Sequence, residues 1–291
     1  MGELYKQYRN LLFHLAYQMT GTVSDAEDAV QDVFVKVQSL PMDQIKEPKA
    51  YLCKMVTNRC LDHLKSARQR REEYFGPWLP EPVPSAFGDS YEAVENQDLL
   101  SYAMLVLLER LSPAERAVFV LREALGFDYP EIAELVEKSE TNCRKLMSRA
   151  RGKMGITEDD LIGVGTVAEE WVNGFFAALS AGNAEHVLSL LAEDAVLISD
   201  GGGKVIAAAR PVESREKVAR FLLGILHNAQ LEDGDSLLIE IKELNGQTGV
   251  VFYHQGVITG VVFVNVKDGL IQEIYIVRNP DKLQGLIPPK L

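Results

Sequence analysis

The amino-acid sequence predicts a multidomain protein. Two all-α domains, the second with a helix-turn-helix, are followed by an α+β domain built as a cone-shaped half-barrel with a curved antiparallel sheet. Apolar residues recur at helical spacing through the first half of the chain. A stretch rich in proline and glycine interrupts those helices. The last part holds β-rich runs joined by Asn245-Gly246 and Asp268-Gly269, two dipeptides typical of hairpins.

These changes in pattern place the domain boundaries. We expect a helical domain over residues 1–74, a Pro-rich linker over 75–92 and a second helical domain over 93–155. A short acidic connector follows over 156–164, and the α+β domain fills 165–291. A chain of 291 residues is long enough for two or three domains, each with its own core.

Charge is unevenly distributed along the chain. The net charge is −12, which argues against a general polyanion binder. Two segments are nevertheless basic, with net charges of +6 over residues 49–71 and +5 over residues 138–153. Localised basic segments in an acidic protein indicate two discrete contacts with nucleic acid.

Apolar runs and cysteine spacing exclude other classes of protein. The sequence has no uncharged apolar run long enough for a membrane helix and no signal-peptide pattern, so we expect a cytoplasmic protein without membrane contact. Its three cysteines are scattered, which argues against a disulfide framework or a zinc site. We expect no metal and no cofactor.

The segment from Asp128 to Met154 predicts two short helices joined by a tight turn. Asp128 and Glu131 can form a capping box for the first helix, and Ser139 can cap the second. The second helix has an apolar face and carries its basic side chains largely elsewhere. Such a helix suits the DNA major groove, where Arg, Lys and Asn reach phosphates and base edges. A solvated basic helix in a bundle is the alternative.

Two earlier helices carry contrasting surfaces. The helix from about Lys49 to Glu73 combines a buried apolar stripe with amide, imidazole and cationic side chains. That mixture fits base-edge and phosphate contacts, although periodicity alone leaves a solvated face equally open. The preceding helix, which a Ser24–Glu27 capping box is expected to begin, has an acidic outer face. By itself this is only a solvated surface.

The linker contains apolar residues that a solvated tether does not need. Trp78 and Leu79 stand among prolines in the segment WLPEP (Trp78 to Pro82). Burying an indole removes a large apolar area from water. We therefore expect WLPEP to pack against one of the domains.

An enzymatic alternative arises in the C-terminal domain. Its acid–base candidates are His186, His227, His254, Asp194 and Asp200. They are spread along the chain without the spacing of a catalytic triad or a metal site, so we predict no catalysis. The apolar strands either form a core or line a pocket for an unidentified small ligand, and the sequence leaves both open.

The ordered set of motifs resembles a known family. SDAEDAVQDVFVKV (Ser24 to Val37), AYLCKMVTNRCLDHLK (Ala50 to Lys65) and the segment from Leu111 to Arg151 resemble the two domains of extracytoplasmic-function (ECF) sigma factors. The third part resembles a SnoaL-like domain of the NTF2-like superfamily. One subgroup of these sigma factors carries such an extension, and its hallmarks recur here as WLPEP, DGGGK (Asp200 to Lys204) and NPDKL (Asn279 to Leu283).

The resemblance implies an ECF RNA polymerase sigma factor that directs promoter recognition and transcription initiation. The implied partners are promoter DNA and core RNA polymerase, through the clamp helices and the flap of its large subunits. The polymerase-binding residues would be Asp25, Asp28, Gln31, Asp32 and Phe34. The −10 element would be melted and read by Asn58, Arg59, Asp62, His63, Lys65 and Arg68. The −35 element would be read by Asn142, Arg144, Lys145, Ser148, Arg149 and Arg151.

The resemblance also implies regulation in cis, in place of a separate anti-sigma factor. A tethered domain reaches a high effective concentration, so weak intramolecular contacts suffice. We expect DGGGK and NPDKL to contact the helical domains or the linker, with a simple glycine turn as the alternative. The residues concerned are Trp78, Leu79, Pro80, Glu81, Pro82, Asp200, Gly201, Gly202, Gly203, Lys204, Asn279, Pro280, Asp281, Lys282 and Leu283. A DNA-binding regulator that never joins polymerase is a further alternative, against which the acidic face speaks.

Overall fold

The chain divides into two compact units. The computed structural model describes residues 2–39, 46–85, 100–157, 169–233 and 237–286. The first unit combines Met1–Glu73 with Phe87–Val164, and the second combines Tyr74–Ala86 with Gly165–Leu291. The linker segment therefore belongs to the same unit as the C-terminal domain, and not to the helices that flank it in sequence.

The first unit is all-α, as its helical periodicity predicts. Its helices are α1 (Gly2–Thr20), α2 (Val23–Gln38), α3 (Pro48–Glu72), α4 (Tyr102–Leu108), α5 (Pro113–Glu123), α6 (Tyr129–Leu135) and α7 (Glu140–Met154). Helices α1, α2 and α3 pack on one another, and α5 packs on α6 and α7. Because α3 also packs on α5 and α6, the two helical parts form one unit.

Three helices of the second helical part have capped N-termini, two of them at the predicted residues Asp128 and Ser139. Ser112 and Asp128 each form a capping box with the glutamate three positions on. The Ser139 hydroxyl accepts a hydrogen bond from the Asn142 backbone N–H. These side chains satisfy backbone donors that a helix leaves unpaired at its start, which fixes α5, α6 and α7.

The predicted cap of α2 is wrong. This helix begins at Val23, and its N-cap is Thr22, whose hydroxyl accepts from the Asp25 backbone N–H. Gly21 ends the preceding helix in the left-handed region (φ 78°), so the chain turns directly into α2. Ser24 consequently lies inside the first turn, where it has no capping role.

A buried arginine joins the two helical parts. Arg116 of α5 is 3% exposed and donates to the backbone oxygens of Met19 (2.9 Å) and Leu108 (2.8 Å). It also pairs with Glu109 at 2.8 Å. Burial lowers the pKa of Arg116 to about 10, so the guanidinium stays charged at neutral pH. It thereby supplies donors to carbonyls at the ends of α1 and α4.

The second unit is an α+β domain around a six-stranded sheet. Its helices are α8 (Glu169–Ser180), α9 (Ala184–Leu190), α10 (Arg215–Asp233) and a 3₁₀ helix (Pro280–Lys282). Its strands are β1 (Leu191–Asp200), β2 (Val212–Glu213), β3 (Leu237–Leu244), β4 (Gln247–His254), β5 (Val257–Lys267) and β6 (Leu270–Val277). No helix in the parts of the chain that the structure describes is long and apolar enough to cross a membrane.

The sheet is mixed, which corrects the expectation of a purely antiparallel sheet. Its strand order is β2-β1-β6-β5-β4-β3. Strands β3 to β6 form an antiparallel meander, but β1 pairs in parallel with β6. No tight turn joins these two strands, because α10 and the rest of the meander lie between them in the chain. A long connection of this kind permits parallel pairing.

Three tight turns set the register of the meander. Asn245-Gly246 (φ 53° and 70°) and Asp268-Gly269 (φ 54° and 75°) have positive φ at both positions, as a type I′ hairpin turn requires. Both predicted hairpins are confirmed. A third turn of this kind, Gln255-Gly256 (φ 49° and 78°), joins β4 to β5. Its sequence signal is weaker because positive φ is enriched in Asn and Asp rather than in Gln.

The two faces of the sheet have different neighbours. The inner face carries Val250, Val262 and Ile274, which pack with α8, α9 and α10 in the main apolar core. Side chains alternate along a strand, so the next residues point to the outer face. There Val251 lines a cavity together with Pro84 of the linker. The outer face is thus where the linker meets the sheet.

Candidate nucleic-acid interfaces and linker contacts

Helix α7 has a buried apolar back and an exposed polar front. Cys143, Met147 and Ala150 are buried against the rest of the first unit. The polar side chains predicted to face DNA and found exposed are Asn142, Lys145, Ser148 and Arg149. The geometry is that of a helix whose front is accessible to a duplex.

Two arginines of α7 are held by neighbouring side chains. Arg144 pairs with Glu140, and its guanidinium lies 4.3 Å from the centre of the Tyr129 ring. This cation–π contact orients an exposed side chain at the start of the helix. Arg151 instead bonds to Glu123 at 2.9 Å, with only 26% of its side chain exposed. In this structure Arg151 ties α7 to α5, and its predicted contact with DNA stays a prediction.

Helix α3 carries most of the residues predicted to contact the −10 element. Arg59, Asp62 and Lys65 are exposed, and Asn58 and His63 are partly buried. Lys65 donates to Asp62 at 2.9 Å, and this hydrogen bond lowers the pKa of the aspartate. Predicted Arg68 belongs to the part of α3 whose side chains lie outside the described residues.

The acidic face of α2 lies beside α3. Asp28 and Gln31 are exposed. Asp32 and Asp25 are partly exposed and bind across to α3. Arg59 Nε lies 2.7 Å from Asp32 Oδ2, and His63 Nε2 lies 3.3 Å from Asp25 Oδ2. The predicted polymerase-binding and −10 surfaces therefore share one ion pair and one histidine–aspartate contact.

Phe34 does not lie on this acidic surface. Its side chain is buried in the core of the first unit, and its ring centre is 4.8 Å from that of Tyr5. The prediction of Phe34 as a polymerase contact is corrected, because the buried ring packs α2 against the core of the first unit.

In the second unit, the three sequence hallmarks meet at one buried aspartate. Asp200 is fully buried at the end of β1. Its carboxylate accepts hydrogen bonds from the Tyr74 hydroxyl (2.6 Å), the Leu79 backbone N–H (2.9 Å) and the Gly202 backbone N–H (3.0 Å). It also pairs with Lys282 Nζ at 2.6 Å. One carboxylate thus binds the linker, the glycine loop and the C-terminal tail.

Lys282 is the cationic partner in this cluster. It is 6% exposed and donates to Asp200 and to the Leu79 backbone oxygen. Its Nζ lies 4.0 Å from the centre of the Trp78 ring and 5.1 Å from that of Tyr74. Two aromatic faces, a carboxylate and a carbonyl offset the loss of water around the ammonium. We call Tyr74, Trp78, Asp200, Asn279 and Lys282 the linker latch.

The remaining groups of the linker latch hold its geometry. Asn279 Nδ2 donates to the Tyr74 hydroxyl at 2.8 Å, and its side-chain oxygen accepts from the Asp281 backbone N–H. Burial, followed by the hydrogen bond to Asp200, raises the pKa of Tyr74, which keeps the phenol protonated as a donor. At the rim, Lys204 and Asp281 form an exposed ion pair.

The glycine run of DGGGK is required by close approach and backbone conformation. Gly202 has φ +60°, and a Cβ there would lie 2.4 Å from the Asn279 side chain. A Cβ at Gly201 would lie 2.5 Å from the Val205 backbone oxygen. Gly203 has φ +69° and lies against Phe75 of the linker. A side chain at Gly202 would push the tail away, one at Gly203 would press on the linker, and one at Gly201 would distort the loop itself.

The linker continues along the end of β3. The Val83 backbone N–H donates to the Asn245 side-chain oxygen (3.1 Å), and the Asn245 N–H donates to the Val83 oxygen (2.8 Å). Ser85 bonds through its backbone N–H to Glu243 and through its hydroxyl to the Gly246 N–H. The linker thus adds a short strand-like piece to the sheet edge.

The other predicted residues of this region take places around the latch. In the linker, Leu79, Pro80 and Pro82 are buried and Glu81 is partly buried. In the tail, Pro280 begins the 3₁₀ helix, and Leu283 is buried directly after it. Tyr74 and Asn245 are contact residues that the sequence did not predict. Tyr74 could have been noticed as an aromatic residue at the start of the linker. Asn245 belongs to a hairpin dipeptide, which predicts a turn and no contact with the linker.

The described acid–base candidates of the C-terminal domain lie in different surroundings. His186 and Asp194 are exposed, His254 is partly buried, and Asp200 belongs to the linker latch. The side chain of His227 lies outside the described residues. Within the described ranges, no group of three or more His, Cys, Asp or Glu side chains is placed to hold a metal ion.

The fold and these surfaces define a class of protein, a multidomain transcription factor whose two helical parts are those of sigma factors. Residues 4–71 match the model of Sigma-70 region 2, and residues 101–154 match that of Sigma-70, region 4. The helical part from α1 to α3 corresponds to the first match, and α4 to α7 correspond to the second.

Whole-chain relatives give the family. The chain is 36% identical over 290 residues to the ECF RNA polymerase sigma factor SigJ of Mycobacterium tuberculosis (strain ATCC 25618 / H37Rv), covering 97% of this chain and 92% of the relative. It is 28% identical over 286 residues to the probable ECF RNA polymerase sigma factor SigI of M. tuberculosis (strain CDC 1551 / Oshkosh), covering 97% and 94%. The chain belongs to the ECF RNA polymerase sigma factors, which act with RNA polymerase and promoter DNA in transcription initiation.

A solved structure supports the three-part fold. The crystal structure of M. tuberculosis SigJ matches with a TM-score of 0.76 and 30% identity, covering 98% of this chain and 99% of the other. The predicted fold class, two helical sigma domains followed by a SnoaL-like α+β domain, is confirmed.

Proposed function

We propose that this sigma factor reads promoters through α3 and α7, docks on core polymerase through α2, and is regulated in cis by its C-terminal domain. In this proposal, α3 contacts the −10 element and α7 contacts the −35 element. The C-terminal domain acts through the linker latch. The observation that carries the regulatory part is the burial of Lys282 between Asp200, Trp78 and Tyr74.

The position of the linker in the sequence makes the latch a means of control. The linker joins α3, which ends at Glu72, to α4, which begins at Tyr102, along the chain. Residues Tyr74 to Ser85 are bonded to the second unit by the latch and by the β3 edge. When Tyr74 to Ser85 are fixed, fewer residues of the connection remain free to change conformation while α3 and α7 bind two promoter elements together. Whether the linker is bound or released therefore sets the reach between α3 and α7.

Surface charge supports the DNA-reading part of the proposal. The front of α7 exposes an amide, a hydroxyl and two cations that pair with no acidic side chain among the described residues: Asn142, Ser148, Lys145 and Arg149. Cations and amides of this kind contact phosphates and purine edges in the major groove. In α3, Arg59 and Lys65 add cations beside a partly buried Asn58.

The acidic contacts of α2 support a role in docking. Asp28 and Gln31 offer exposed hydrogen-bond acceptors. Asp32 forms an ion pair with Arg59, in which 47% of the Asp32 side chain and 43% of the Arg59 side chain are exposed. Exposed pairs contribute at most about 1 kcal/mol, so a basic partner surface can compete for the aspartate at little cost. The proposed partner is the clamp-helix region of the polymerase, with the flap serving the second helical part.

In-vitro transcription tests the proposal directly. Core RNA polymerase, promoter DNA and the full-length protein should give defined transcription starts that are absent without the protein. Lys282→Met, which releases the latch, should change output at least threefold in either direction. Lys204→Met removes an exposed cation of the same loop cluster and should leave output within twofold of the unmodified protein.

The outcomes separate the two parts of the proposal. No starts with any variant, together with retained duplex binding, would indicate a DNA-binding regulator that does not join polymerase. Starts that are equal for Lys282→Met and the unmodified protein would retain the sigma function and exclude regulation through the latch.

A further inference from the structure

A cavity of about 260 Å³ lies on the outer face of the sheet in the second unit. Three segments that are distant in sequence build its walls. The linker contributes Pro84, the tail contributes Leu286, and the sheet contributes the remainder. The lining residues from the sheet are Lys242, Glu243, Leu244, Val251, Tyr253 and Ile258.

The polar groups of the cavity form a connected set. The Tyr253 hydroxyl donates to Glu240 Oε2 at 2.9 Å, and Lys242 Nζ lies 3.2 Å from the same oxygen. Lys242 Nζ also lies 5.5 Å from the centre of the Tyr253 ring. Burial lowers the pKa of Lys242, but the hydrogen bonds to Tyr253 and Glu240 outweigh it and raise the pKa overall. Lys242 is thus a charged donor at neutral pH.

Charge balance decides which ligands fit. Lys242 supplies one positive charge and Glu240, just behind the lining, supplies one negative charge, and the two already pair with each other. An anionic ligand would meet a lysine whose charge is balanced and a carboxylate that repels it, and the apolar walls disfavour a second cation. An uncharged oxygen can accept from Lys242 without either penalty.

The volume of the cavity and the chemistry of its lining residues limit the class of ligand further. The cavity volume is about that occupied by nine molecules in liquid water, which suits a ligand of one or two rings. Apolar walls from Pro84, Leu244, Val251, Ile258 and Leu286 favour a ring over a flexible polar chain.

We propose that this outer-face cavity binds a small uncharged ring molecule with a hydrogen-bonding oxygen, of which a phenol is the simplest case. The oxygen contacts Lys242, and the ring lies between the linker residue Pro84 and the tail residue Leu286. The site lies on the opposite face of the sheet from the helix-covered core. Binding here is independent of the sigma function, whereas its effect on transcription rests on the function proposed above.

Occupancy of the cavity acts on the same segments as the linker latch. Pro84 bridges to Leu244 at the sheet edge, and Leu286 follows the 3₁₀ helix that carries Lys282. A ligand that contacts both walls binds only while linker and tail lie on the sheet. By mass action it increases the population of that docked state.

Fluorine NMR of full-length protein with 4-fluorophenol tests the binding. We expect saturable line broadening, with affinity reduced at least fivefold in Lys242→Met and in Ile258→Phe, which fills the cavity. Lys217→Met removes an exposed lysine of α10 and should bind as the unmodified protein does. The anion 4-fluorobenzoate should bind at least fivefold more weakly than 4-fluorophenol.

Hydrogen exchange of the linker peptide tests the coupling. Saturating 4-fluorophenol should slow exchange of residues 79–85 at least threefold, and this slowing should be lost in Ile258→Phe. No saturable binding, or equal binding by Lys242→Met, would overturn the site, and tighter binding of 4-fluorobenzoate would overturn the ligand class. Binding without slower exchange would overturn the coupling. None of these results depends on polymerase, so they stand apart from failure of the sigma assignment.

Discussion

Replacing Lys282 by Met should open the linker latch. The substitution keeps an unbranched side chain but leaves the fully buried carboxylate of Asp200 without its cation. Removing one partner of a buried ion pair costs about 3 to 5 kcal/mol, because the remaining charge is uncompensated. At 1.4 kcal/mol per factor of ten, the docked linker becomes about 10² to 4 × 10³ times less favoured.

The Leu79 amide reports this change. Its N–H donates to Asp200, and its carbonyl accepts from Lys282, so it exchanges with solvent only when the linker opens. Hydrogen-exchange mass spectrometry of the peptide containing Leu79 should show protection falling by about the same factor, 10² to 4 × 10³, in Lys282→Met.

A matched control separates the buried cation from a general charge effect. Lys204→Met breaks the Lys204–Asp281 pair, whose side chains are 55% and 54% exposed, so the expected change in Leu79 protection is below about fivefold. The double variant Asp200→Asn/Lys282→Met removes both charges and should lose less than the two single variants combined. A fall below tenfold in Lys282→Met would refute the reasoning that the ion pair holds the linker.

Three further predictions concern other parts of the chain. Gly202→Ala should lower the melting temperature, since strain at φ +60° and a clash with Asn279 together cost about 1 to 3 kcal/mol, whereas Gly224→Ala, with open space around it, should not lower it. Burial lowers the pKa of His14 to about 4, so the stability of the first unit should be complete above about pH 6.5 and fall on acidification toward pH 4, by up to about 1.4 kcal/mol per pH unit. Urea unfolding of His14→Gln should lack that loss, and an unchanged pH dependence would exclude His14 as its origin. Arg116→Met should destabilise the first unit by about 3 kcal/mol in the same assay, because two carbonyls and Glu109 lose their donor, and a loss under about 1 kcal/mol would contradict this.

Local sequence patterns predicted the helices, most caps and the two Asn-Gly and Asp-Gly hairpins. These features depend on residues within one or two turns of each other, as in the capping boxes of Ser112 and Asp128. The α2 start was wrong by two positions because Thr22 and Ser24 can both cap and only the backbone decides between them. The parallel pairing of β1 with β6 joins segments far apart in the chain and left no local signal.

The candidate sites were predictable only in part, for the same reason. Periodicity placed Lys145 and Arg149 on an exposed face, but it could not show that Arg151 bonds to Glu123 or that Phe34 packs on Tyr5. Trp78 indicated that the linker docks. Its partner Lys282 lies in the tail, and a buried lysine cannot be recognised from composition, because lysine is ordinarily exposed. Regulation through this contact stays a prediction.

The wide sequence separation of the latch has a consequence for protein synthesis. Lys282 follows its partner Leu79 by 203 residues, so the ribosome completes the linker long before the tail. At about 5 to 20 residues per second, this interval is roughly 10 to 40 seconds. The second helical part is completed within this interval, at Met154, and the remaining 128 residues to Lys282 then take roughly 6 to 25 seconds. Each newly made molecule therefore passes through a period in which its helical parts are complete and the linker latch does not yet exist.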